Sequence, residues 1–182
     1  MLKIQLDEIK DTGLYLEGEM DPVDLPQLNR LGKDGLSRFP DPIAFKISIS
    51  RIADIVEIKG ALDSTVDLSC GRCLDHYQMP LTSRFALAYT RQLPDCVDEE
   101  GEEIELSAEE LGLTLLEADE IDLSEPLQEQ LLMALPIKPL CSNDCKGLCA
   151  HCGANLNTEK CSCEAPVFDT RFASLKNFKV KK

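Results

Sequence analysis

Six of the nine cysteines of this 182-residue chain fall within 23 positions. They lie in Cys141-Ser142-Asn143-Asp144-Cys145-Lys146-Gly147-Leu148-Cys149-Ala150-His151-Cys152-Gly153, followed by Cys161-Ser162-Cys163. The stretch has few apolar residues of its own, so it must be held by the chemistry of its sulfurs rather than by a core. Two more thiols stand far upstream in Cys70-Gly71-Arg72-Cys73, and Cys96 is the odd one out. An odd count fits a pure disulfide framework poorly. The opening residues carry Asp7 and Glu8 where a secretory leader needs an unbroken apolar run. The expected setting is therefore cytoplasmic, where clustered thiols bind metal or do redox chemistry.

Zinc suits this donor set, because it takes four soft ligands tetrahedrally and needs no redox partner. A C-x2-C turn places both sulfurs on one metal while its backbone amides point at them. Gly153, directly after Cys152, suits that tight geometry, and Gly147 serves the turn before it. Cys161 and Cys163 can supply the second pair, which gives a closed site of Cys149, Cys152, Cys161 and Cys163. Cys70, Cys73, Cys141 and Cys145 then make a second all-cysteine site, tying the sheet to the C-terminal segment. The expected cofactor is one or two zinc ions.

Other chemistries compete for the same residues. An iron–sulfur cluster also uses four cysteines, but none of its common spacings matches well. A thioredoxin-like pair at Cys70 and Cys73 would open a helix in a βαβ unit, whereas the pattern around it is strands. His76 and His151 can replace a thiolate, or stand exposed with no metal role. Four sulfurs leave no open coordination position, so the metal is expected to be a structural staple. There is no Walker A loop, G-x-S-x-G, H-E-x-x-H or dinucleotide fingerprint, and no recognisable pairing of a general acid with a base. The expectation is a protein that is not an enzyme and has no small-molecule substrate.

The net charge of −14 is concentrated in one place. Between Asp95 and Glu125 there are 14 acids and no Lys or Arg, and outside it 19 acids balance 19 bases. From Arg171 to Lys182 there are five bases and no acid. The acidic run reads as a solvated loop or linker, or as a shield for the protein's own basic surface. No apolar run approaches the roughly 18 residues that span a bilayer, so no membrane partner is expected.

Alternation dominates the first half. Phe45, Ile47 and Ile49 alternate with Lys46, Ser48 and Ser50; Leu62, Val66, Leu68 and Cys70 share one parity; Phe85, Leu87 and Tyr89 repeat the pattern. Short alternating runs also occur at Leu2 to Leu6 and at Leu14 to Met20. Gly60 is the expected turn between two strands. A short helix is expected between Asp21 and Leu31 with Asp24 as its cap, and a further strand at Gly112 to Leu116. Ser124-Glu125-Pro126 should start a helix capped by Ser124, with Leu127, Leu131, Leu132, Ala134 and Leu135 on its apolar face and Pro136 as its stop. Phe168, Phe172, Leu175 and Phe178 predict a last amphipathic helix, docked on the core rather than stacked on bases. The fold class predicted is α+β: a mainly antiparallel sheet, a few helices and a cysteine-rich C-terminal lobe. Residues 1–94 form the β-rich part of the core and 95–125 the acidic segment, part loop and part strand. Residues 126–182 supply a helix, the zinc lobe and the basic helix, packed on the core.

Several elements together resemble the YceD family, the large ribosomal RNA subunit accumulation proteins of bacteria and plastids. They are Cys70-Gly71-Arg72-Cys73-Leu74, Ile121-Asp122-Leu123 before a helix, Leu135-Pro136-Ile137-Lys138-Pro139-Leu140-Cys141, Asp144-Cys145-Lys146-Gly147-Leu148-Cys149, Cys152-Gly153-Ala154-Asn155-Leu156-Asn157, Cys161-Ser162-Cys163 and Asp169-Thr170-Arg171-Phe172-Ala173-Ser174-Leu175. The resemblance is strong from about residue 70 onward and rests on pattern alone before it; Thr170 stands where the family usually has proline. It implies a part in accumulation or processing of large-subunit (23S) ribosomal RNA. The partners implied are that RNA or its precursor, a basic ribosomal protein, or both. Phosphate contacts would come from Arg72, Arg171, Lys176, Lys179, Lys181 and Lys182. The aromatic share of 5% argues against a base-stacking platform. The competing expectation is an acidic module with structural zinc that holds a basic ribosomal protein and does not touch RNA.

Overall fold

The computed structural model describes residues 2–10, 12–33, 35, 37–97, 103–116 and 118–163. The basic C-terminal helix expected around Phe168 to Phe178, and with it Arg171, Lys176, Lys179, Lys181 and Lys182, lies outside the described residues. Residues 98–102 and 117 of the acidic segment do too.

A pleated strand sends successive side chains to opposite faces, so strands form where apolar and polar residues alternate. In chain order the elements are β1 (Lys3–Gln5), β2 (Leu14–Met20), α1 (Pro26–Lys33), β3 (Ser37–Arg38), β4 (Ile43–Ile52), β5 (Ile55–Ser69), β6 (His76–Thr90), β7 (Cys96–Val97), β8 (Glu103–Ile104), β9 (Thr114–Leu115), β10 (Glu120–Asp122) and α2 (Ser124–Ala134). One sheet has the order β2-β4-β5-β6-β9, with β3 also pairing on β5. The pairs β2–β4, β4–β5 and β3–β5 are antiparallel, while β9 meets β6 in parallel at Tyr89 and Thr90. β1 pairs with β10, and β7 with β8, both antiparallel. The architecture is α+β, as the sequence predicts.

The chain divides into two compact units. The first comprises Met1–Leu68 and Tyr77–Ile137, the second Ser69–His76 and Lys138–Lys182. In the first unit, Ile43, Ile47 and Ile49 of β4 and Ile58, Leu62 and Val66 of β5 are almost wholly buried. Leu28 of α1 and Leu127 and Leu131 of α2 join the same cluster. A fully buried side chain of this size contributes about 1.5–3 kcal/mol of hydrophobic stabilisation before chain entropy is charged against it.

Three local expectations are corrected. Gly60 is not a turn; it lies inside β5, where it pairs with Ile47. A Cβ there would stand 2.4 Å from Cζ of Phe85, so the glycine exists to let the phenylalanine ring lie against the strand. The β4–β5 turn is Ala53-Asp54, between the paired Ile52 and Ile55, with Ala53 at a φ of 53°. No glycine or asparagine marks that turn in the sequence, which is why it was invisible there. Ser124 does not cap α2 with its side chain: its hydroxyl accepts from the Leu2 amide, and the Asp122 carboxylate accepts from the Ser124 amide. Asp24 ends a short 3-10 turn capped by Asp21, and the first turn of α1 is served from afar, by Gln128 Oε1 accepting from the Gln27 amide. The strand expected at Gly112 to Leu116 is the two-residue β9.

Candidate metal centres

β5 and β6 are each 15 residues long, and the chain passes between them through Cys70-Gly71-Arg72-Cys73-Leu74-Asp75. The Cys70 amide donates to the Asp75 carbonyl (2.9 Å) and the Leu74 amide to the Cys70 carbonyl (2.9 Å). Leu74 takes a left-handed φ of 64° although it is not glycine. The second C-x2-C repeats this design: the Gly153 amide donates to the Cys149 carbonyl (2.9 Å) and Gly153 has a φ of 74°. Both turns are thus knuckles in which the residue after the second cysteine reverses the chain, with glycine at one and leucine at the other. The left-handed region costs a non-glycine residue roughly 1–2 kcal/mol, so the Leu74 knuckle carries strain that the Gly153 knuckle does not.

The sulfurs gather into two sets of four. Cys70, Cys73, Cys141 and Cys145 form the first quartet and Cys149, Cys152, Cys161 and Cys163 the second, with all sulfurs of a set within 4.8 Å of one another. These are the two sets into which the spacing divides the cysteines, and Cys96 belongs to neither. In the first quartet Cys70 Sγ lies 3.8 Å from Cys145 Sγ, and Cys73 Sγ 3.6 Å from Cys141 Sγ. A tetrahedron with metal–sulfur bonds of about 2.3 Å has edges of about 3.8 Å, whereas a disulfide would bring two sulfurs to about 2 Å. The donor set therefore fits a four-thiolate metal site at each quartet. Three sulfurs of the first quartet are buried and Cys141 is exposed; in the second, Cys149 and Cys161 are half-buried and Cys152 and Cys163 exposed.

Electrostatics tell the same story, because four thiolates this close repel one another until a cation joins them. The Cys141 and Cys73 amides hold the Cys70 thiol down to about 6. The Cys152 and His151 amides do the same for Cys149, also to about 6. Their neighbours go the other way. Although the Asp75 amide favours its thiolate, burial and the three nearby sulfurs push Cys73 up. Cys163 is pushed up to about 12 by the sulfurs of Cys152 and Cys149, with burial adding to it. Each quartet thus pairs a thiol held low by backbone amides with one pushed up by its neighbours, an imbalance that a bound cation would relieve.

Residues beyond the sulfurs hold these ligands in place. Asn157 accepts from the Lys146 amide (2.8 Å) through Oδ1 and donates to Cys145 Sγ (3.3 Å) through Nδ2. Asn155 donates to the Asp75 carboxylate (2.6 Å) and accepts from the Asn157 amide (3.0 Å). The only signal for them was their place in the quoted Cys152-to-Asn157 element. Arg72, read from sequence as a phosphate contact, donates from Nη1 to the carbonyls of Cys145 (2.8 Å) and Asn143 (3.3 Å). His151 is exposed, and His76 Nδ1 lies 3.3 Å from Ser69 Oγ; neither belongs to a quartet.

The model of the family described as large ribosomal RNA subunit accumulation protein YceD matches residues 58–179, a span that includes both quartets. Relatives described as "Large ribosomal RNA subunit accumulation protein YCED homolog 1, chloroplastic" are 28% identical over 170 residues in Arabidopsis thaliana and 25% over 146 in Zea mays. The first alignment covers 82% of this chain and 53% of the relative, the second 68% and 49%. An uncharacterized protein of Mycobacterium leprae is 26% identical over 140 residues, which is 74% of this chain and 59% of that protein. The chain thus spans about half the length of the curated relatives it matches. No solved structure matches it. Among the described residues, no helix is long and apolar enough to cross a membrane.

Proposed function

The chain belongs to the YceD family of large ribosomal RNA subunit accumulation proteins, and on that premise we propose that it is a cytoplasmic, non-enzymatic ribosome-biogenesis factor that supports accumulation or processing of 23S ribosomal RNA. The single observation that carries this reading is the family match across residues 58–179. In this reading the quartets hold structural zinc, because four thiolates per ion leave no position open for a substrate or an activated water. RNA is contacted through phosphate by Arg72, Arg171, Lys176, Lys179, Lys181 and Lys182. The partner is large-subunit RNA or its precursor, alone or with a basic ribosomal protein.

Crosslinking the protein in cells and sequencing the attached RNA tests the reading. The expected result is enrichment of large-subunit ribosomal RNA or its precursor. In vitro, RNA affinity should fall steeply with salt and weaken when Lys179, Lys181 and Lys182 are removed. An absence of attached RNA overturns direct contact. If a basic ribosomal protein is captured instead, and its capture is lost when Asp98 to Glu105 are deleted, the acidic holder is the correct reading.

A further inference from the structure

The chain between Cys152 and Cys161 closes the second quartet, and Gly153 and Ala154 bond there to Cys149, yet Asn155 and Asn157 reach out to the first quartet and its neighbours. Asn155 reaches the carboxylate of Asp75, whose carbonyl accepts from the Cys70 amide. Asn157 reaches Cys145 Sγ and the amide of the next residue, Lys146. Between these contacts, Leu148 and Asn155 form an antiparallel bridge, and the Leu156 amide donates to the Gly147 carbonyl (2.9 Å). The Leu148 amide donates to the carbonyl of Arg72, inside the first knuckle (3.1 Å). Gly147 packs so closely there that a Cβ would stand 3.1 Å from that same oxygen. The second quartet is therefore laid on a template made of Arg72, Asp75 and Cys145, all of them ligands of the first quartet or within two residues of one.

The dependence is unequal. The first knuckle joins two 15-residue strands and is tied by the Gly71 amide to the Pro139 carbonyl (2.8 Å), and three of its quartet's sulfurs are buried. No ligand of either quartet lies within a helix or strand, but neither Cys161 nor Cys163 adjoins one as Cys70 adjoins β5, and two sulfurs of their quartet are exposed. We infer that the two quartets are coupled metal sites that fill in a fixed order, the Cys70–Cys73–Cys141–Cys145 set first, with Asn155 and Asn157 as the positioning residues that carry the coupling to the second set. Linkage makes the coupling reciprocal, so each filled site strengthens the other by the same factor. The order comes from preorganisation: the Cys70–Cys73 half of the first set is held in its knuckle between two strands before any metal arrives, and the second set is assembled on the first once that set has closed on its ion.

The test uses the full chain, stripped of metal under reducing conditions and titrated with cobalt(II) alone. Thiolate-to-cobalt absorbance counts the filled sites, and alkylation with N-ethylmaleimide followed by peptide mass mapping shows which thiols are free. At one equivalent, Cys141 should be protected despite its exposure while Cys152, Cys161 and Cys163 are labelled; at two equivalents all eight should be protected. The C161S/C163S variant should retain one tight four-thiolate equivalent. D75A and N155A should each weaken the second equivalent by about 10–100-fold. D75N keeps an acceptor oxygen and should restore it, and the double variant D75A/N155A should be no weaker than either single one. Equal protection of the two quartets at one equivalent, protection of the second quartet first, an unchanged second step in both alanine variants, or no cobalt binding at all would each overturn the inference. The wild-type mapping needs no variant to fold.

Discussion

The apolar side chains buried in the sheet unit, among them Ile43, Ile58, Leu62, Leu127 and Leu131, form one cluster. In the cysteine unit the buried side chains among the described residues are Cys70, Cys73 and Cys145. Both units must offset the chain entropy lost on ordering, roughly 1–2 kcal/mol per residue for the backbone alone. One does so by taking apolar surface out of water. The described part of the other buries little besides cysteine, and its sulfurs are placed where bonds to a cation could make up the difference. The difference predicts that the two halves of one chain respond to different insults.

Metal removal should show the largest effect. Chelation is expected to abolish amide-exchange protection across residues 138–163 while β4 and β5 keep theirs. Structural zinc supplies about 10–16 kcal/mol in zinc-finger peptides, more than the net stability of most domains. Retained protection in 138–163 after chelation would break the comparison. The converse insult is Leu131→Ala, which empties a fully buried site on α2 and should cost about 2–5 kcal/mol in denaturant unfolding of the sheet unit. Cobalt affinity should not change, and a parallel loss of metal binding would show that the units are not separable in energy.

A smaller effect sharpens the account of the core. Gly60→Ala drives a methyl into the Phe85 ring and should cost about 1–3 kcal/mol. Phe85→Leu in the same chain should recover part of it, since the clash is with the far end of that ring. Two single losses that simply add would mean that the close approach does not set the role of Gly60. The smallest effect belongs to the knuckle. Leu74 is 64% exposed and left-handed, so Leu74→Gly gives up little packing and relieves about 1 kcal/mol of backbone strain. Tighter cobalt binding at the first quartet is the expected readout, and Gly153→Ala should move the second quartet the opposite way.

Much of the sheet was legible because period-2 alternation is a local signal. Phe45, Ile47 and Ile49 declare a half-buried strand whatever lies beside them. The misplaced turn shows where such reading stops. Gly60 looks like punctuation in the sequence, and only the arrival of Phe85 from the neighbouring strand explains it. Ala53 looks like nothing at all, yet it turns the chain. Helix ends behaved likewise: the groups that satisfy the first turns of α1 and α2 come from Gln128 and Asp122, and the Ser124 hydroxyl serves Leu2 instead.

The cysteines divide along the same line. Spacing alone put Cys149 beside Cys152 and Cys70 beside Cys73, because a two-residue gap in a tight turn leaves the sulfurs nowhere else to be. It also set Cys96 aside and allowed the division into two sets of four. Tertiary structure decided the rest: that Cys70 and Cys73 meet partners some 70 residues away, and that Asn155 and Asn157 stand between the two sets. Sequence determines what neighbours along the chain can reach, since covalent geometry limits them to a few ångströms. Which distant residues meet is settled only when the whole chain finds the arrangement that buries its apolar faces and pairs its polar groups together.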